Sequence, residues 1–399
     1  MLLSIIIPIF NDAAYLEETL FNIDFKNIEG KVELILVDSS NDDSASLVVS
    51  EFRSKSPLIE VIYRRIEPSF AGRSMNEGIQ LSSGQFLCFL DTKTIPAEGW
   101  PNDHLRILRH SNVKVVFGTT QYEADSNFQK LLKATSYGNI LHESVPGSVV
   151  RREVFKSTGL FSPNLRSSYD IEWKNKVKKF SSFKTPDFRT ILYSKLPKNF
   201  FDAAKKYFIY SLHTAKADVQ LSIKQAYLSI LLVLSALLIP RWNYLLTGWD
   251  SNPLYIPDIT KIYLFSIVII LVFTLMINSF FLKTKESNLF SNSLKLIVFL
   301  FLSFSIYRWN AVLASWVESA VLYVPHITKL YLSSLVILSV LYRGLVMPLS
   351  RKEPKLYLFP FKWIQVGVLG LVLDIIKMPG YTIGAFIALF RGITRAKIK

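Results

Sequence analysis

Gly84–Pro96, GQFLCFLDTKTIP, holds a five-residue apolar run, Phe86 to Leu90, that stops at a carboxylate, Asp91, before polar residues and a proline. A run of that length, with Gly before it and polar residues and Pro after it, predicts a buried strand of an α/β sheet. Asp91 then stands at the C-terminal end of the strand. Ligands of open α/β sheets bind in the crevice outside those ends, so a charge delivered there is placed for chemistry. A loop Asp that closes a turn is the ordinary reading of one such residue. A second strand, Val32–Val37, ends the same way at Asp38, and the repetition favours a site.

Outward from this strand the chain alternates. Leu3–Ile7 predicts a strand that runs into Pro8-Ile9-Phe10-Asn11-Asp12, where Asn11 or Asp12 can cap a helix over Tyr15–Ile23. Val32–Val37, Ala45–Phe52, Ile59–Tyr63 and Arg73–Leu81 read in turn as strand, helix, strand and helix; Val113–Gly118 and Pro146–Val150 read as later strands. Such alternation predicts a mostly parallel sheet with right-handed crossovers.

The 399 residues give material for two or three units, and their hydrophobic half is unevenly spread. Residues 1–222 read as a soluble α/β domain, 223–347 as a transmembrane region, and 348–399 as a basic, apolar tail. A formal charge of +15 fits nucleic acid or the Lys and Arg that flank membrane segments; the long apolar runs favour the second, and no nucleic-acid partner is expected. The one cysteine, Cys88, sits in the predicted central strand and agrees with a reducing compartment. Leu2–Ile7 lacks a basic flank and runs into Pro8, so no signal peptide is expected.

A tandem repeat organises the apolar region. Arg-Trp-Asn recurs at 241–243 and 308–310, a spacing of 67 residues, and Tyr-x-Pro-x-Ile-Thr-Lys at 255–261 and 323–329. Candidate spans are Ala226–Ile239, Ile259–Leu282, Leu296–Tyr307 extending toward Val317, and Ile327–Met347; the second and fourth are long enough to cross, and the first and third leave a re-entrant or tilted hairpin open. Basic residues around 283–295 and in the tail place the N-terminal domain and C-terminus in the cytoplasm of a multi-pass membrane protein, with a bacterial inner membrane as the expected location. The tail reads as two interfacial helices, Trp363–Met378 and Tyr381–Phe390, broken at Pro379-Gly380, or as a third membrane hairpin.

Four segments, SIIIPIFNDAAYLEETL, ELILVDSSNDDS, GRSMNEGIQLSSGQFLCFLDTKTIP and RREVFKSTGLFSPNLRSSYDIEW, resemble the glycosyltransferase family 2 pattern on a GT-A fold, in order, over about the first 190 residues. The resemblance implies a Rossmann-like nucleotide-sugar domain followed by transmembrane helices. It implies that Pro8, Phe10 and Asn11 line the nucleotide pocket and that Asp38 meets the base. Arg73 and Asn76 match an R-x-x-N helix near the diphosphate, and Asp91 the first Asp of D-x-D. Asp170, in Tyr169-Asp170-Ile171-Glu172, aligns with the general base that deprotonates the acceptor hydroxyl; as a residue it reads equally as a helix N-cap. Lys206 and Tyr210 fall in a segment like the family's basic aromatic helix beside the acceptor, and a basic anchor at an anionic leaflet fits them equally. Tyr122, His142 and Glu143 are expected near the acceptor, although such a histidine more often lies on a surface.

The chemistry agrees with that assignment. A nucleotide diphosphate sugar brings two phosphates whose departure needs positive charge, from a metal ion or from fixed cations. Carboxylates at strand ends suit Mg²⁺ or Mn²⁺, for which Asp91 is the candidate ligand. Two positions depart from the pattern: Lys93 stands where a second Asp is usual, and Tyr169 replaces a Glu. Lys93 either supplies the positive charge in place of the metal or marks a domain that binds without transfer. The expected activity is thus an inverting transfer from a nucleotide-sugar donor to a membrane lipid, lipid-linked glycan or polysaccharide acceptor. The alternative is a catalytically silent binding or assembly partner at the bilayer. A sugar nucleotidyltransferase is disfavoured, because no Gly-rich loop with Lys or Arg follows the first strand.

Overall fold

Strand β1 (Leu2–Ile9) is apolar at every position except Ser4 and Pro8, and residues 3–9 are all buried. That pattern belongs to a strand covered on both faces. A computed structural model describes residues 2–216, 336–337 and 339–396 of the chain. Met1–Ser229 with Val340–Lys399 forms one unit and Ile230–Ser339 a second, and the elements below belong to the first. The repeat and the predicted spans lie outside the described residues, apart from the end of the last span.

After β1 come α1 (Ala13–Phe21), β2 (Lys31–Asp38), α2 (Ser44–Lys55), β3 (Glu60–Arg65), α3 (Ala71–Leu81) and β4 (Phe86–Phe89). The chain continues through β5 (Thr94–Pro96), α4 (Asn102–His110), β6 (Val115–Tyr122), α5 (Asn127–Ser136) and β7 (His142–Arg151). It then forms α6 (Val154–Thr158), α7 (Tyr169–Phe180), β8 (Phe183–Lys184), β9 (Ile191–Tyr193) and α8 (Phe200–Lys216). Towards the C-terminus a π-helical turn, Tyr342–Val346, leads into α9 (Met347–Ser350), α10 (Lys355–Leu358) and α11 (Lys362–Ala396).

The strands lie in the order β3-β2-β1-β4-β7-β6-β9-β5, with β8 beside β6. β3, β2, β1 and β4 are parallel, as the alternation predicts. β7 runs antiparallel to both β4 and β6, so the other half of the sheet is mixed. This reversal positions the site. The end of β4, the end of β6 and the start of β7 share one sheet edge, which brings Asp91, Tyr122 and His142 to the same side.

Alternate residues of the strands feed two cores. Leu3, Ile5, Ile7 and Ile9 pack with Leu16 and Leu20 of α1 and Phe52 of α2. Ile6, Val37 and Phe89 pack on the other face with Met75 and Ile79 of α3 and Trp173 of α7. Cys88 is fully buried in β4, and burial pushes its thiol far above the ordinary range.

A buried carboxylate fixes the entry to β4. Glu33 Oε1 accepts from Ser4 Oγ at 2.5 Å, Ser83 N at 2.6 Å and Gly84 N at 3.0 Å, while Oε2 accepts from Ser83 Oγ at 2.7 Å. Burial works against the charged form, but these donors outweigh it and hold the Glu33 carboxyl below its ordinary range. Arg152 clasps the same corner through Gly84 O and Ser82 Oγ.

The tail differs from the sequence expectation. α11 runs unbroken through Pro379, and Gly380 is a packing seat rather than a break. A Cβ on Gly380 would lie 2.6 Å from the Phe208 carbonyl oxygen of α8, and one on Gly384 would strike the Leu212 carbonyl. Two small residues four apart let the helix backbones approach closely, and packing against α8 outweighs the hydrogen bond that Pro379 forgoes. Leu369 and Leu373 join Leu132 of α5 and Ala203 of α8 in a separate apolar cluster. Within α11, Lys362–Tyr381 is long and apolar enough by length and composition to cross a membrane, the one such stretch among the described residues.

Candidate active site

The shared sheet edge opens into a cavity of about 760 Å³. The ends of β1, β4 and β6, the start of β7 and the first turn of α7 contribute to its wall, and α8 and the C-terminal segment complete it. Of the residues expected at the site, Pro8, Phe10, Asp91, Lys93, Asp170, Lys206 and Tyr210 line this space.

Asp91 follows β4 in a turn closed by Thr94, whose hydroxyl donates to the Asp91 carbonyl at 2.7 Å. The backbone is thus held by the turn and the carboxylate is left to the cavity. Burial, then the neighbouring Asp170 charge, raise the Asp91 carboxyl to about 6 against the opposing pull of Lys93. Asp170 is raised too, by burial, with Lys174 and its own and the Ile171 backbone N–H groups opposing. It is not an N-cap: Ser168 holds that position in a left-handed conformation with φ of 67°, and Asp170 lies in the first helical turn. There it keeps the company of the helix N-terminus, which favours a carboxylate.

Lys93 Nζ pairs with Asp12 Oδ1 at 2.6 Å and stands 5.2 Å from the Tyr15 ring centroid. Asp12 occupies the N-cap position of α1 without a side-chain capping bond, because its carboxylate also accepts from the Thr92 hydroxyl at 3.3 Å. The sequence marks Asp12 as a possible cap; its partnership with Lys93 depends on the β1–β4 pairing, which local spacing does not reveal.

Four expected donor residues stand elsewhere. The Asp38 carboxylate is fully buried: Oδ2 accepts from Tyr63 Oη at 2.6 Å and Oδ1 from Ser40 N at 2.9 Å, and its neighbour Ser39 reaches the wall instead. Burial and this bond push the Tyr63 phenol far above its ordinary range. Asn11, at φ 54°, spends Oδ1 on Asn41 N at 3.0 Å and its own N–H on Ser40 Oγ at 2.8 Å, lashing the β1 turn to the β2 turn. Arg73 is exposed; on a 3.6-residue helix the cavity-facing positions of α3 are Ala71 and Ser74, and position 73 turns away. Asn76 brackets the Phe161 backbone, donating to its carbonyl at 2.8 Å and accepting from its N–H at 2.9 Å, so it ties α3 to the turn before α7.

Aromatic residues form another wall. Tyr122 stacks on Tyr137 with centroids 3.8 Å apart, and His142 Nε2 meets the Tyr137 carbonyl oxygen at 2.8 Å. Burial lowers the His142 pKa. Glu143 does not line the cavity; it pairs with Lys178 at 2.7 Å. Lys206 stands 5.4 Å from the centroids of both Tyr193 and Tyr210, and burial, then the Lys93 charge, bring its ammonium down to about 8. The Tyr210 phenol is pushed up to about 12, by burial and then by Asp91 and Asp170.

The C-terminal wall carries no signal in the sequence. Arg343 Nε donates to Asp374 Oδ2 at 2.8 Å, Lys377 Nζ to Asp374 Oδ1 at 2.9 Å, and Arg351 Nη1 to the Thr135 carbonyl at 2.8 Å.

Among the described residues no group of three or more His, Cys, Asp or Glu is arranged to hold a metal ion. Mg²⁺ is commonly held by one or two carboxylates together with substrate phosphates. Asp91 is a carboxylate open to such sharing, and Asp12, the other acid nearby, is already engaged by Lys93.

Residues 4–170 match the model of the family described as Glycosyl transferase family 2. Glycosyltransferase AglE of Haloferax volcanii is 24% identical over 185 residues, covering 44% of this chain and 60% of its own length. Glycosyltransferase GlyG of Streptococcus pneumoniae is 26% identical over 129 residues, covering 32% of this chain and 42% of its own. The chain thus spans less than two thirds of either relative. The crystal structure of S. aureus TarS 1–349 in complex with UDP-GlcNAc aligns with a TM-score of 0.39 at 15% identity, covering 65% of this chain and 77% of that one. Over residues 4–170, which carry the α/β sheet described above, the chain is thus similar to glycosyltransferase family 2.

Proposed function

We propose that the protein is an inverting glycosyltransferase that moves a sugar from a nucleotide-sugar donor to a membrane-associated acceptor, lipid-linked or polysaccharide. The observation that carries this reading is the meeting of Asp91 and Asp170 in one cavity, each with its pKa raised and each raised chiefly by burial. Perturbed carboxyls in a cleft are the mark of acid–base chemistry. In the transfer, the acceptor oxygen forms a bond to the anomeric carbon as the bond to the diphosphate oxygen breaks. The acceptor proton passes to Asp170, whose carboxylate is made more basic by burial.

The leaving diphosphate takes the electron pair and needs positive charge beside Asp91. Lys93 Nζ stands in the same wall as a donor to the diphosphate, its charge shared with Asp12. A divalent ion, where used, would be held by Asp91 and the donor phosphates and would add Lewis-acid stabilisation there. Pro8, Phe10 and Ser39 offer the wall for the nucleoside, and Lys206 and Tyr210 flank the acceptor. The apolar runs of residues 223–347 and the span-length helix α11 support a bilayer setting with the catalytic domain cytoplasmic.

A donor-hydrolysis screen on membranes with several nucleotide sugars, with and without Mn²⁺, tests the reading. Release of nucleotide from one donor is expected, and Asp170→Asn should abolish transfer while nucleotide binding persists. A second reading, binding without transfer, is favoured by Lys93 at the position of the usual acid; silence across a broad donor panel would select it.

A further inference from the structure

Arg343, Arg351, Asp374 and Lys377 all face the cavity, yet all lie far beyond the family-matched residues 4–170. Among the described residues three cations and one carboxylate line this wall, and Arg351 forms no ion pair with a carboxylate there. The cluster is built and buried: the Arg343 and Asp374 side chains are 5% and 9% exposed, and Lys377 lies 4.9 Å from the Tyr207 ring centroid. Asp374 offers two carboxylate oxygens, and Arg343 and Lys377 take one each. Uncompensated charge beside a low-dielectric wall is costly unless something of opposite sign meets it. An anion entering the cavity from the acceptor side would supply that charge.

Given the transferase reading above, we infer that the Arg343–Asp374–Lys377 cluster with Arg351 binds a phosphate group carried by the acceptor. Asp374 is a positioning residue, which orients Lys377 and Arg343 and sets the net charge. The donor diphosphate belongs beside Lys93 and Asp91, so the two anions have separate seats.

The test titrates the full chain, in nonionic detergent, with dodecyl phosphate, dodecanol and inorganic phosphate, and separately with UDP and GDP. Dodecyl phosphate should bind more tightly than dodecanol. Lys377→Gln should weaken phosphate binding about tenfold, the order of one charge-assisted hydrogen bond, and Lys377→Arg should restore it. Asp374→Asn removes the neutralising charge and should tighten phosphate binding, the opposite sign. A purely structural cluster would instead lower the melting temperature in both variants and leave phosphate affinity unmoved, which overturns the inference. So would equal affinity for dodecanol and dodecyl phosphate when inorganic phosphate also fails to bind. Preference for dodecyl over inorganic phosphate points to a lipid-borne group; equal affinity for the two points to a soluble phosphorylated acceptor. UDP and GDP binding should be indifferent to Lys377→Gln. Its absence from the unaltered protein would remove the transferase reading while the phosphate measurement still stood.

Discussion

Replacing Asp91 by Asn should stabilise the protein at neutral pH while ending its chemistry. The Asp91 carboxyl moves from an ordinary 3.8 to about 6 in the folded chain. At 1.36 kcal/mol per pKa unit, this costs the ionised form about 3 kcal/mol. A raised folded pKa means that the folded state holds the proton more tightly than the unfolded one. The stability due to that proton is fully present below 3.8 and is lost as pH rises through 6. Asparagine keeps the shape without the charge, and the turn survives because Thr94 bonds the backbone of residue 91. With water in the cavity screening part of the penalty, we expect a gain of about 2 kcal/mol at pH 7.5, or about 4–8 °C in a domain of this size. The gain should vanish at pH 4. Thermal unfolding of both forms, followed by tryptophan fluorescence across pH 4–8, reads it directly. A melting temperature that is unchanged or lower at pH 7.5, or a gain of equal size at pH 4, would refute the reasoning.

Lys93→Asp restores a second acid beside Asp91 and should confer Mn²⁺-stimulated turnover; equal turnover with and without Mn²⁺ would count against Lys93 at the phosphates. Gly380→Leu places a side chain against the Phe208 carbonyl and should separate α11 from α8, costing about 1–3 kcal/mol in chemical unfolding. Glu33→Gln gives up charge-assisted bonds from Ser4, Ser83 and Gly84 and should cost about 1–3 kcal/mol, seen as a lower denaturant midpoint.

The parallel half of the sheet is legible because each strand there is a continuous apolar run with its own terminator. Asp91 is legible for the same reason: it ends such a run. The mixed half is not, since β7 reverses direction only through its pairing with β4, and the placement of Tyr122 and His142 beside Asp91 follows from that pairing. Asp38, Asn11 and Asn76 are read as donor residues from motif position, whereas the structure spends their polar atoms on Tyr63, Asn41 and Phe161. Short polar side chains at strand ends serve either purpose, and only the distant partner decides. The tail is misread because Pro-Gly is a strong local breaker whose effect is overridden by packing against a helix 172 positions earlier, Gly380 on Phe208.

Thr135 Oγ1 reaches the Val366 carbonyl at 3.4 Å across 231 positions of sequence, alongside the Arg351 bond to Thr135. A ribosome delivers the N-terminal domain first, and that domain can fold as it emerges. Until the residues around Arg351 and Val366 follow, the chamber lacks a side. Asp91 and Asp170 are therefore delivered well before the residues that wall the chamber in, and its closing side depends on sequence more than 170 positions further along.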